Sequence, residues 1–167
     1  MSADAAALRF RTEPRPGDAD RVRALVAGTG FFSAEETAVA GELVEDRLEK
    51  GAGSDYHFLF ADDGAGRLVG YSCFGPIALT QASWDLYWIA VDAAAQGRGL
   101  GRAVLEASER RIVELGGRRV YVETSSRPQY LPTRAFYERC RYDVGAVLDD
   151  FYAPGDGKVI FVKALSG

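Results

Sequence analysis

The sequence predicts an α/β chain of the α+β kind, in which a mixed, mostly antiparallel seven-stranded sheet is flanked by about four helices. Three observations lead there. Most of the periodic stretches alternate as strands, and only a few carry helical spacing. Two of the strand stretches meet across a tight glycine turn, as a hairpin does. In the middle of the chain a strand, a helix and a strand follow directly, which implies a right-handed parallel crossover inside an otherwise largely antiparallel sheet.

The elements follow in order. "LRFRTE" (8–13) alternates as a strand, and Pro16-Gly17-Asp18 opens a helix whose apolar face is Val22, Leu25 and Val26. Ser33 and Glu36 have capping-box spacing ahead of a second helix carrying Val39, Ala40, Leu43, Val44 and Leu48. "HFLFAD" and "RLVGYSCFG" flank the turn "DGAG" as an antiparallel hairpin, and the apolar strand "WDLYWIAVD" comes after a loop. A helix with Val104, Leu105, Ser108, Ile112 and Leu115 at helical spacing is stopped by Gly116-Gly117. "RRVYVET" is the next strand, a short helix covers Pro132 to Cys140, and "YDVGAVLDDFY" and "KVIFVKAL" are the last two strands. The resulting order is β-α-α-β-β-β-α-β-α-β-β.

Composition bounds the function. With 47% apolar residues over 167 positions the chain can build one core, so residues 1–167 are expected to form a single domain without a bilayer-spanning segment. "MSADAAALRF" has neither a basic region nor an apolar run of signal-peptide length, which makes the cytoplasm the default location. Cys73 and Cys140 are far apart and His57 is the only histidine, so no metal site and no Ser-His triad are expected. A net charge of −4 argues against a nucleic-acid partner, because such binding relies on Lys and Arg neutralising phosphates. Any anion site must be local. His57 itself begins a strand and is expected to be a surface or satisfied core residue.

Such a site is suggested by "VDAAAQGRGLGRAVLEASERR" (91–111), where Gly97, Gly99 and Gly101 precede a helix. A strand that runs into a glycine turn and then a helix leaves backbone N–H groups at the positive end of the helix dipole, which suits a phosphate. Glycines remove the Cβ atoms that would hold a pyrophosphate away, and Arg98 and Arg102 add charge. A flexible turn with a solvated basic face is the structural alternative. The glycines run G-x-G-x-G, so neither the dinucleotide fingerprint nor a Walker A loop is present.

"QGRGLG" (Gln96 to Gly101) matches the Q/R-x-x-G-x-G/A signature, and the chain resembles the GNAT superfamily of acyl-CoA-dependent N-acetyltransferases. "AFYERCRY" (135–142) is similar to the family's second landmark, and the element order matches the GNAT fold over nearly the whole chain. The resemblance implies acetyl-CoA as the acyl-donor cosubstrate. The backbone of Ile89, Ala90 and Val91 would bind its pantetheine arm. The N–H groups of Gln96, Gly97, Arg98, Gly99, Leu100, Gly101, Arg102 and Ala103 would hold its pyrophosphate. A homodimer is the family expectation.

The implied reaction is transfer of an acetyl group to a primary amine by direct attack. A protonated amine has a pKa of about 10, so a base must take its proton, and a thiolate leaving group with a pKa of about 8.5 is helped by an acid. Tyr137 matches the family's acid, with a core aromatic as the structural alternative. Asp85, eleven residues before Gln96, and Glu123 on the following strand are candidate bases; each is otherwise a strand-end charge. Tyr87 shares the Asp85 face by strand alternation. The acceptor is expected between "GTGFFSAEE" (28–36) and "LDDFYAPGDGK" (148–158). There Phe31, Phe32, Phe151 and Tyr152 would wall a pocket, and Glu35, Asp149 and Asp150 would attract a cation; ordinary turn acids and core aromatics are the alternative.

Tyr130 stands where many relatives carry an Asn, and Arg141 where they carry a glycine, so Arg141 is expected to carry a strain of roughly 1 kcal/mol if the left-handed helix cap is kept. A small-molecule amine is the expected acceptor, with protein amines as an alternative. A non-catalytic acyl-CoA sensor or interaction module is a reading of a different class, because the cradle specifies binding and not turnover.

Overall fold

The computed structural model describes residues 7–166. Residues 1–6, which carry part of the export reading, and residue 167 lie outside the described residues. The elements are β1 (Arg9–Arg11), α1 (Asp18–Gly28), α2 (Ala34–Lys50), β2 (His57–Asp62), β3 (Leu68–Pro76), β4 (Ser83–Val91), α3 (Leu100–Glu114), β5 (Arg119–Ser125), α4 (Leu131–Arg139), β6 (Asp143–Ala153) and β7 (Asp156–Ala164). This is the order expected from the sequence. The strands form one sheet in the order β1-β2-β3-β4-β5-β7-β6. Pairing is antiparallel for β1 with β2, β2 with β3, β5 with β7 and β6 with β7, and parallel for β4 with β5. The parallel pair is the expected crossover through α3. No helix among the described residues is long and apolar enough to cross a membrane.

The chain divides into two compact units, Met1–Gly75 with Trp88–Arg111, and Pro76–Tyr87 with Ile112–Gly167. β4 contributes its first half to the second unit and its last four residues to the first.

In the first unit, Val22 and Val26 of α1, Ala40 and Val44 of α2, Phe58 and Phe60 of β2, and Tyr71 and Cys73 of β3 share one core. α1 starts on a buried charge cluster. The Asp18 side chain, 0% exposed, accepts from Arg11 Nη1 at 2.9 Å and from the Arg15 N–H at 2.7 Å, and Arg11 also donates to Asp62 at 2.6 Å. Burial alone would raise the Asp18 carboxyl, but the hydrogen bonds from Arg11 and Arg15 outweigh it and hold the carboxyl below its ordinary value.

α2 begins with the expected capping box: Ser33 Oγ accepts from the Glu36 N–H, and Glu36 accepts from the Ser33 N–H. Its buried face differs from the expected one. Ala40, Val44 and Arg47 are buried, while Val39 and Leu48 are more than two-fifths exposed. Ala40 and Val44 pack in the core, and Arg47, at the same helical spacing, lies on that face with its Nη2 donating to Glu13 at 2.8 Å.

In the second unit, Trp84 and Leu86 of β4, Val120 and Val122 of β5, and Val159 and Phe161 of β7 are buried. α4 ends in a Schellman cap: Tyr142 N–H bonds the Tyr137 carbonyl at 2.9 Å and Arg141 N–H bonds the Glu138 carbonyl at 3.0 Å. Arg141 adopts φ +70°, the left-handed conformation expected there. The Tyr137 and Tyr142 rings, 5.5 Å apart, supply the apolar contact of this motif.

Candidate active site

In the first unit, β4 leads through a short turn into α3. Asp92 anchors the turn: its N–H bonds the Val69 carbonyl at 2.7 Å, its Oδ1 accepts from the Ala94 N–H at 2.9 Å, and its other oxygen accepts from Arg67 at 3.0 Å. A single helical turn over Ala93–Ala95 follows, with Ala95 buried as its anchor. Gly97 and Gly99 have φ +80° and +76°, and a Cβ added at either would meet no atom within 4 Å. The two glycines therefore turn the backbone in a way side chains resist, and they border open space. Gly101 lies within the first turn of α3, so two of the three glycines shape the turn and the third belongs to the helix. The Gly99 carbonyl accepts from the Ala103 N–H at 3.0 Å, which starts the helix.

N–H groups near this helix start have no intrahelical acceptor and sit at the positive end of the dipole. Gln96, Gly97, Arg98 and Gly99 are exposed, Leu100 is buried as the anchor of the helix, and Arg102 pairs with Glu106 at 2.9 Å. Arg102 thus has a local counter-ion, while Arg98 extends from the turn itself.

Ile89 and Val91 are half-buried and Ala90 is buried. The parallel register of β4 covers Ser83–Asp85 against Arg119–Tyr121, so these three residues lie past its end. Phe32 packs against Trp88 at 5.1 Å between ring centres and borders the core, while Phe31 is exposed and meets Phe32 edge-on at 5.6 Å. Glu35 is exposed in the first turn of α2.

The second unit brings most of the remaining candidates together. Asp85 is in register with Tyr121, Glu123 lies two residues further along β5, and Ser125 is in register with Lys158 of β7. Alternation places Asp85, Tyr87, Glu123 and Lys158 on one face. Lys158 Nζ lies 3.1 Å from Glu123 Oε2 and 3.7 Å from the centre of the Phe151 ring. Burial and then the nearby Glu123 charge push the Asp85 carboxyl above its ordinary value, against a smaller opposing effect of Lys158. The Tyr152 hydroxyl is raised by burial, Glu123, Asp156 and Tyr130 in that order. Tyr87 is 43% exposed.

Not every expected acid is available. Asp150, at φ +55°, accepts from the Gly155 N–H at 2.7 Å and so shapes the hairpin; Asp149 is exposed beside it. Asp156 accepts a short hydrogen bond from the Ser125 hydroxyl, and Arg134 Nη1 donates to the Ser125 carbonyl at 2.7 Å. Sequence reasoning missed Lys158. The only signal was its place at the head of "KVIFVKAL", six residues after Tyr152.

Tyr137 is 3% exposed and lies among Phe136, Tyr142 and Phe161 at 5.3 to 5.7 Å between ring centres. Burial pushes its hydroxyl far up, so it carries its proton throughout the physiological range. His57 is half-buried against Phe74 with its pKa lowered, first by burial and then by Arg47. Both cysteines are buried and outside any disulfide, and no cluster of metal-ligating side chains occurs among the described residues.

A strand, glycine turn and helix, set in a seven-stranded mixed sheet with four helices, are the architecture that the resemblance to the GNAT fold implied. Residues 26–142 match the model of the acetyltransferase (GNAT) family, and the chain belongs to that family of transferases. It is 44% identical to a GNAT-family protein from Desulfovibrio desulfuricans, with TM-score 0.93 over 96% of this chain and 100% of that one. An aminoglycoside 6'-N-acetyltransferase complexed with coenzyme A has TM-score 0.75 at 17% identity, over 95% of this chain and 98% of that one. A variant of a spermidine N-acetyltransferase from Vibrio cholerae has TM-score 0.75 at 15% identity, over 95% and 94%. None of the curated proteins matches the sequence.

Proposed function

We propose that this chain, acting as one domain, transfers an acetyl group from acetyl-CoA to a primary amine of a small molecule. The observation that carries the reading is the pair of left-handed glycines, Gly97 and Gly99, bordering open space directly ahead of α3. That backbone suits a pyrophosphate, and the N–H groups from Gly97 to Arg102 are its candidate donors, those of Gln96 and Ala103 being bonded to the Ala93 and Gly99 carbonyls. A relative of the same fold is crystallised with coenzyme A, which supports the same cosubstrate here. When bound, acetyl-CoA supplies the acyl group as an activated thioester.

The chain's own residues then have three tasks. The backbone of Ile89, Ala90 and Val91, past the end of the β5 register, is suited to hold the pantetheine arm and to donate to the developing oxyanion. Asp85, half-buried and raised, is suited to take the amine's proton directly or through water, with Glu123 as its neighbour. Tyr137, kept protonated by burial, is the acid for the leaving thiolate. In the second unit Tyr87, Tyr130 and Tyr152, with Asp85, suit an amine, whereas Asp150 serves the hairpin. A cytoplasmic location fits two buried cysteines that form no disulfide, and a homodimer fits β6, an edge strand exposed along its whole length.

Isothermal titration with acetyl-CoA, ATP and NADH tests the binding step. Micromolar binding of acetyl-CoA alone is expected. Equal binding of all three, or of none, contradicts the assignment of the glycine turn.

A further inference from the structure

Two of the aromatic residues expected to wall the acceptor pocket, with Glu123, one of the two candidate bases, already hold a cation. Lys158 is 12% exposed, paired to Glu123 at 3.1 Å, and set 3.7 Å from the Phe151 ring centre and 5.8 Å from that of Tyr152. A carboxylate on one side and ring faces on the other make a cation site, and the chain fills it with its own ammonium.

The other carboxylates nearby are accounted for. Asp156 is bonded to the Ser125 hydroxyl and Asp150 to the Gly155 N–H. Asp149 lies in the irregular stretch of the hairpin between Leu148 and Ala153, outside the strand register that holds Lys158, and is exposed. Among the described residues, Asp85 is the carboxylate on the Lys158 face without an ion pair or hydrogen bond. One unpaired carboxylate can compensate one incoming positive charge.

We propose that Lys158 is a built-in counter-ion that occupies the second cation position, so that the site takes amines bearing a single positive charge and turns polycations away. This inference rests on the acceptor site proposed above. A second ammonium on the acceptor would have to displace Lys158 from Glu123 and the rings, or lie beside it as a like charge. A monoamine meets neither obstacle: its ammonium faces Asp85, and its apolar remainder meets the exposed aromatic surface.

The test compares n-butylamine with putrescine, which share a carbon chain and differ in one amine. With the wild-type protein, kcat/KM for CoA release should favour butylamine by roughly tenfold or more. K158M frees Glu123 and should move the ratio toward putrescine by a similar factor, while K158R, which keeps the charge, should retain the wild-type order. Calorimetric titration of both amines into the wild-type protein with CoA present ranks them without turnover and without relying on a variant. Butylamine binding more tightly supports the proposal even if no transfer is seen, in which case the transfer reading alone fails. Putrescine binding or reacting as well as butylamine in the wild type overturns the counter-ion, as does an unchanged order in folded K158M.

Discussion

Replacing Gly99 by alanine separates folding from binding. Gly99 holds φ +76°, and an added Cβ would meet no atom of the protein within 4 Å. The fold therefore carries only the left-handed strain, about 1 to 2 kcal/mol, reduced by the roughly 0.4 to 1 kcal/mol that alanine gains by restricting the unfolded chain. A net loss near 1 kcal/mol lowers Tm by about 2 to 4 °C in a chain of this size. The same Cβ stands in the space assigned to the pyrophosphate. Loss of one charge-assisted backbone hydrogen bond costs about 1.5 to 3 kcal/mol, which is roughly a tenfold to hundredfold rise in the Kd for acetyl-CoA. Gly66 supplies the matched control, since it has φ +80° and equally open space but sits in the β2–β3 hairpin turn. Gly66→Ala should show the same small drop in Tm with an unchanged Kd. Calorimetry on both variants checks this, and an unchanged Kd in folded Gly99→Ala would refute the cradle.

Three further outcomes follow from the geometry. Tyr137→Phe should leave acetyl-CoA affinity intact and lower kcat by roughly a hundredfold; an undiminished kcat in stopped-flow turnover removes the acid role. Asp85 acts as a carboxylate, so kcat/KM should fall as pH drops through a pKa above the ordinary carboxylate range, and Asp85→Asn should abolish that limb. Because its folded pKa is raised, Asp85 favours the fold below its unfolded pKa and loses that contribution as pH rises through the folded value. Asp85→Asn should accordingly melt no lower than wild type at neutral pH. Arg141→Gly relieves a left-handed residue in an otherwise complete Schellman cap and should raise stability by about 1 kcal/mol in urea unfolding.

The sequence made visible those features whose physics is local. The Ser33–Glu36 capping box, the β2–β3 hairpin and the passage from β4 through glycines into α3 each depend on neighbours within a few residues, and the structure has all three. The left-handed conformation of Arg141 was legible for the same reason. α2 shows the limit: helical periodicity assigned Val39 and Leu48 to the buried face, whereas the structure buries Arg47, whose partner Glu13 is 34 residues away. Lys158 was hidden for a related reason. A strand lysine reads as solvated, and only the β5–β7 register sets it against Glu123, while the irregular β6–β7 hairpin brings Phe151 over its ammonium. The acidic loop was legible as composition but not as chemistry, because backbone turns decide which carboxylates are spent on the hairpin.

The most direct measurement is release of free CoA thiol from acetyl-CoA, followed with a thiol reagent, with and without a primary amine, alongside mass spectrometry of the amine. The structure predicts amine-dependent thiol release matched one for one by acetylated amine. Tight acetyl-CoA binding without thiol release across a broad amine panel would contradict the transferase reading and leave a protein that holds the cosubstrate without using it.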